Sequence, residues 1–331
     1  MTTKLWDTRL SRIPQSETVT RKSEPTFIHR AEMSLSRRHV AFILFSLSLC
    51  LLMAGTISEV IGFSLDLSNK HASQILLIPF ISAALIWWNR KVVFQIPRWS
   101  VPFALPVVFL GGILLVAGRV FGARLGENDY LTVAATSLVV MWLGGFLLFY
   151  GPYSFKAALF PLLFLFFAVP IPTAVLDGVI AILQRGSAEM AFVLLRLTGT
   201  PVFHDGVILT LPGLVVEVAP QCSGIRSGIT LFIVSVLANH LLLSSWWKRS
   251  AFILATIPVL FLKNAIRIAA LSLLAVHVDR RILDSQLHQE GGILFLMLGL
   301  LLLYPVLAML VRSEKREKNQ VNRTLSAVSL P

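Results

Sequence analysis

The sequence predicts an all-α polytopic membrane protein of about eight transmembrane helices, with a small extracytoplasmic cap made of an amphipathic helix and a β-hairpin. Two observations carry this prediction. The first is composition: 56% of the 331 residues are hydrophobic and 14% are charged, against about 25% charged in an ordinary soluble domain. The second is arrangement, because the apolar residues fall into blocks near the roughly 20 residues that a membrane-crossing helix needs. A soluble globular fold is thereby excluded. The net charge of +12 does not indicate nucleic acid, since the basic residues gather beside the apolar blocks, where membrane orientation accounts for them.

In chain order, residues 1–39 are polar and mixed in charge, without apolar periodicity, and read as a cytoplasmic arm that is disordered or loosely surface-bound. Spans follow at 40–61, 73–88, 101–118, 131–150, 157–175, 223–243, 251–273 and 293–311, the second being the weakest. The transmembrane domain runs over 40–312, and 313–331 is a basic cytoplasmic tail. With both tails inside, nineteen of the 29 Lys and Arg residues fall in inner segments and seven in outer ones, as the positive-inside rule requires. Arg226, Lys263 and Arg267 lie within spans.

Residues 176–197 carry apolar side chains at helical spacing, interrupted by Arg185, Glu189 and Arg196, which suits an amphipathic helix on the outer face. Next comes Val202-Phe203-His204, the turn pair Asp205-Gly206 and a strand over 207–211, a β-hairpin pattern, with 214–219 as a possible third strand.

Three polar residues converge in depth. Cys222, in Pro220-Gln221-Cys222-Ser223-Gly224-Ile225-Arg226, lies at or next to the start of the sixth span. There the helix dipole and unpaired amides favour a thiolate and can hold an oxyanion, and Arg226, four residues on, is expected on the same face. A small cysteine beside glycines also suits close helix packing. The seventh span contains Lys263-Asn264-Ala265-Ile266-Arg267, and an ionisable residue there costs roughly 2.5–3.5 kcal/mol on insertion scales. Arg267 sits about 16 residues in, roughly 24 Å through a 30 Å core, near the outer face. His288 precedes the eighth span at the same face, with His277, His204 and His240 as competitors. A thiol, a guanidinium and an imidazole at one depth make a nucleophile, a cation for an oxyanion and a base. Of the two cysteines, Cys50 lies well inside the first apolar block, so no disulfide framework is expected.

These residues resemble the exosortase/archaeosortase family of membrane cysteine transpeptidases. The resemblance rests on Glu217 ahead of the Cys222–Arg226 block, on Asn264 and Arg267, and on His288 followed by glycines. Pro170-Ile171-Pro172, Leu183-Gln184 and the hairpin add to it, so that it is strongest over 160–300. It implies that Cys222, Arg267 and His288 are catalytic, the histidine marking a bacterial type, with Glu217, Ser223, Gly224, Arg226, Lys263 and Asn264 in supporting or substrate-binding roles. It further implies an enzyme of the bacterial inner membrane, its active site on the outer face. The substrates would be exported proteins whose C-terminal signal, of the PEP-CTERM type, holds a short motif, a transmembrane helix and a basic cluster. Besides these proteins the partners are membrane lipid, with no nucleic acid, no cofactor and no metal; the oligomeric state stays open. A transporter of an anionic substrate, using Lys263 and Arg267, and a polyprenyl-linked glycosyl or acyl transferase are the alternative readings, and neither requires the cysteine.

With both termini inside, cysteines introduced at 246–250 should resist a membrane-impermeant thiol reagent in intact cells. Labelling there would overturn the assigned topology.

Overall fold

The computed structural model describes residues 24–66, 72, 74–279 and 292–328. In chain order it contains α1 (Glu24–Leu52), α2 (Ala54–Leu65), α3 (Ile78–Trp88), α4 (Arg90–Val93), α5 (Val101–Phe121), α6 (Glu127–Ala157), α7 (Leu159–Phe164) and α8 (Thr173–Leu197). Three strands follow, β1 (Phe203–Asp205), β2 (Ile208–Leu211) and β3 (Leu214–Glu217), and then α9 (Ile225–Leu242), α10 (Trp246–His277) and α11 (Gly292–Val328). Among the described residues seven helices are long and apolar enough to cross a membrane: α1, α5, α6, α8, α9, α10 and α11. Six of them carry expected spans, the one at 40–61 being divided at Met53 between α1 and α2. α1 opens at Glu24, within the polar stretch 1–39, with Pro25 in the first turn where its missing N–H costs nothing. At the other end α11 passes through position 312 without a break, so span and tail are one helix.

The expected spans at 73–88 and 157–175 are interrupted rather than continuous. The first is a 3₁₀ turn, Ile75–Leu77, followed by α3. The second is α7, a 3₁₀ turn (Leu165–Ala168) and an extended stretch through Pro172. Pro170 and Pro172 explain the interruption, since each lacks an N–H and holds the preceding residue out of the helical region. An apolar surrounding leaves such backbone nothing to bond except protein. The first turns of α6 supply the partners: Thr132 Oγ1 donates to Pro170 O at 3.0 Å, Asn128 Nδ2 to Ile171 O at 2.7 Å, and Asp129 Oδ1 accepts from Thr173 N at 2.7 Å.

The return towards the start of α6 begins at a kink. Gly151 has φ +78°, and a Cβ there would lie 2.6 Å from the carbonyl oxygen of Arg98. From the kink, Ala158, Leu162 and Leu165 pack against Leu143, Phe146 and Tyr150, and Ala168 then reaches Leu131. The same stretch runs antiparallel to α9. Phe160 stacks on His240 at 3.6 Å and Phe167 meets Phe232 at 6.3 Å, which brings Pro170 to the level of Ile225.

Helix α8 is therefore tied at its start to the level where α9 begins. Further along, Ala188, Ala191 and Leu195 pack against Ala265, Ile268 and Ala269 of α10. Although long enough to cross, α8 starts and ends on one side of the bundle. The strands form one antiparallel sheet in the order β1-β2-β3. The first turn centres on Gly206-Val207, one residue later than the expected pair, with Asp205 opposite Ile208. Leu209 and Leu211 point into the α8–α10 core.

At the opposite side, the turn between α9 and α10 is held by α11. Glu314 accepts from Ser244 N with both carboxylate oxygens, at 3.0 and 3.1 Å, and the buried Lys248 pairs with Glu317 at 2.8 Å.

Gly151→Val should destabilise the protein by roughly 2–4 kcal/mol, combining left-handed strain with a backbone clash. Gly112→Val, whose Cβ meets nothing within 4 Å, should cost about 1 kcal/mol or less. Reversible unfolding in mixed micelles measures both.

Candidate active site

The chain arrives at Cys222 from β3. Val218 is fixed on both sides, its N donating to Val207 O at 2.9 Å and its O accepting from Gln184 Nε2 at 2.7 Å. Pro220 then opens a 3₁₀ turn, Pro220–Cys222, closed by Cys222 N donating to Ala219 O at 2.8 Å and Ser223 N to Pro220 O at 3.1 Å. Gly224 takes φ +73°, and α9 starts at the next residue. Only glycine fits here: the conformation is left-handed, and a Cβ would stand 2.6 Å from Asn264 Oδ1.

Helix α10 supplies the other wall. Asn264 Nδ2 donates to Cys222 O at 3.1 Å. One residue earlier, Lys263 Nζ donates to Ser227 Oγ at 2.5 Å, and Ser227 Oγ donates in turn to Gly224 O at 3.2 Å. A turn further on, the Arg267 guanidinium lies 5.7 Å from the centre of the Phe295 ring of α11. Lys263, Asn264 and Arg267 are only 1%, 1% and 9% exposed. Gly299 of α11 packs closely here, where a Cβ would be 2.8 Å from Leu231 Cδ2 and 3.1 Å from Lys263 Cδ. Ser223 Oγ and Asn264 Oδ1 are buried without a hydrogen-bond partner among the described residues.

Burial pushes the Cys222 thiol up from its ordinary value, and the charge of Arg267 pulls it partly back. The dipole of the following helix would favour the opposite sign. Desolvation outweighs that dipole because Cys222 precedes α9 by a separate turn and is half-buried. The same turn removes Arg226 from the face of Cys222. A left-handed residue between them breaks the four-residue helical relation, and Arg226 is exposed. Glu217 ends β3 with its side chain exposed.

His288 lies outside the described residues. Of its competitors, His240 stacks on Phe160 at the far end of α9 from Cys222. His204 Nε2 is 2.6 Å from Gly206 O and its ring is stacked on Phe192. His277 closes α10, exposed. Ser227 was missed by the sequence reading, although a lysine inside a span needs an acceptor and Ser227 lies in the first turn of the neighbouring helix. Among the described residues no group of His, Cys, Asp and Glu is placed to hold a metal ion.

The family model described as transmembrane exosortase matches residues 66–305, a range that contains Cys222, Arg267 and His288. No curated protein and no solved structure matches the chain.

Since the Arg267 charge lowers the thiol, Arg267→Gln should move the pH dependence of Cys222 alkylation to higher pH, with slower reaction at neutral pH. Iodoacetamide labelling in a Cys50→Ala background reads this. An unmoved profile would separate the guanidinium from the thiol.

Proposed function

The chain belongs to the transmembrane exosortase family, and from that premise we propose that it is a membrane cysteine transpeptidase that processes C-terminal sorting signals of exported proteins. The observation that carries this reading is the meeting of Cys222 and Arg267. Cys222 comes from the turn ahead of α9 and Arg267 from α10, one turn along from the Asn264 that bonds Cys222 O, and the guanidinium charge reaches the thiol. A membrane-buried cation next to a thiol suits a reaction in which negative charge appears on a carbonyl oxygen.

The chemistry follows from the groups present. The Cys222 thiol passes its proton to a base, and the sulfur attacks the carbonyl carbon of the scissile bond. Arg267 balances the oxyanion of the tetrahedral intermediate. The C–N bond then breaks, the leaving amine takes up a proton, and a Cys222 thioester remains. An amine or water adds to the thioester carbon and expels the thiolate, which completes the transfer. Because burial favours the protonated thiol, the attack needs a base, and His288 is assigned that role. Gly224 and Asn264 hold the nucleophile loop, Lys263 supports it from α10, Ser223 offers a buried hydroxyl beside it, and Glu217 and Arg226 line its exposed rim.

The substrate class is an exported protein carrying a short motif, an apolar helix and a basic cluster of the PEP-CTERM type, met at the outer face of the bacterial inner membrane. A cavity of about 360 Å³ supports this. Apolar side chains from 166–171, α8, α9 and α10 dominate its lining, and Ile225 and Gly228 on the first turns after Cys222 form part of it. Apolar residues of a substrate helix would fit there with the adjoining peptide at the thiol.

Cys222→Ala should leave the protein inserted and abolish processing, and Cys222→Ser should lose at least about 100-fold, since a hydroxyl needs far stronger base assistance. Cys50→Ala should behave as wild type. Mass spectrometry of the new C-terminus of a coexpressed substrate is the readout, and normal processing by Cys222→Ala would falsify the proposal. His288→Ala should slow acylation by roughly 10²–10⁴-fold.

A further inference from the structure

Two adjacent residues of α10 grip two carbonyls of the nucleophile loop. Asn264 takes Cys222 O directly, and Lys263 reaches Gly224 O through the Ser227 hydroxyl. The second link acts on a peptide of particular position. Gly224 O also accepts from Gly228 N at 2.8 Å, so this carbonyl points along α9. In a planar trans peptide the N–H points the opposite way, and the Ile225 amide is therefore turned out of the helix end, where Cys222 sits. Among the described residues no acceptor meets that amide. An ammonium on Ser227 strengthens the hydroxyl as a donor, and a stronger donor on Gly224 O polarises the whole peptide, its N–H included.

Resting on the transpeptidase reading, we propose that Lys263 and Ser227 are positioning residues, a buried relay that holds the Gly224–Ile225 peptide with its N–H directed at the oxyanion formed on the Cys222 adduct. Neither side chain touches substrate. Arg267 supplies the charge at the oxyanion from one side and the Ile225 amide supplies an oriented donor from the other.

The test uses the full-length protein in a Cys50→Ala background with a model substrate, comparing Ser227→Ala, Ser227→Thr, Lys263→Met and the double variant Ser227→Ala/Lys263→Met. Ser227→Ala should lower kcat by roughly 10–100-fold with KM within about twofold, because the donor matters most in the transition state. Ser227→Thr, which keeps the hydroxyl, should recover kcat to within about fivefold of wild type. Lys263→Met should resemble Ser227→Ala, and the double variant should be no slower than the slower single one, as links in series require. The pH profile of Cys222 alkylation should stay where it is in Ser227→Ala, whereas a collapsed loop would move it. Wild-type kcat in Ser227→Ala, a serine-to-threonine change as damaging as serine-to-alanine, or a shifted alkylation profile each overturns the relay. Processing by Cys222→Ala removes the transpeptidase reading and the relay together; a dead Cys222→Ala beside a fully active Ser227→Ala removes the relay alone.

Discussion

Every peptide group that leaves regular structure inside an apolar bundle needs a protein partner, and this requirement organises the molecule. The chain departs from helix in three places that matter, and a neighbouring helix meets each with polar side chains. Asn128, Asp129 and Thr132 of α6 receive the Pro170–Thr173 stretch. Glu314 of α11 receives the turn at Ser244. Asn264, and Lys263 through Ser227, receive the loop at Cys222. The polar side chains named here are thus tied to particular interruptions.

The third of these interruptions differs from the others in its charge. The first is satisfied by neutral groups and one carboxylate, the second by the Glu314 carboxylate together with Arg249, whose Nε donates to Leu243 O at 2.8 Å, and the loop at Cys222 by an amide and a buried ammonium, with a guanidinium one turn away. The Arg267 guanidinium beside a half-buried thiol opposes the desolvation that keeps it protonated. The candidate site is consequently a balance: the surrounding apolar groups hold the thiol neutral at rest, and α10 supplies positive charge where a reaction would create negative charge.

Much of this was legible in the amino-acid sequence. Composition and block length identify the membrane fold, and the Asp205-Gly206 pair marks the first turn of the sheet to within one residue. Hydropathy alone does not locate breaks within an apolar block, so the interruptions at 73–88 and 157–175 read as uniform spans although Pro170 and Pro172 announce one of them. Helical spacing puts Arg226 on the face of Cys222 only if the helix runs through Gly224, whose left-handed conformation a sequence does not display. The sign of the thiol shift depends on burial, which two residues of uncertain helical status cannot reveal. Ser227 went unnoticed because serine is common in spans, and its meaning depends on Lys263 lying opposite.

Helix α11 spans the distance between the two ends of α9. Phe295 stands over Arg267 beside the Cys222 loop, and Glu314 closes the turn after Leu242. Nineteen residues separate these two contacts, about 28 Å at the helical rise and close to the roughly 30 Å of a hydrocarbon core. The protein thereby carries its own ruler. The height of the thiol above the far turn is measured by a covalent helix rather than by the lipid around it, so a thinner or thicker bilayer must bend its leaflets to the protein while the thiol keeps its station.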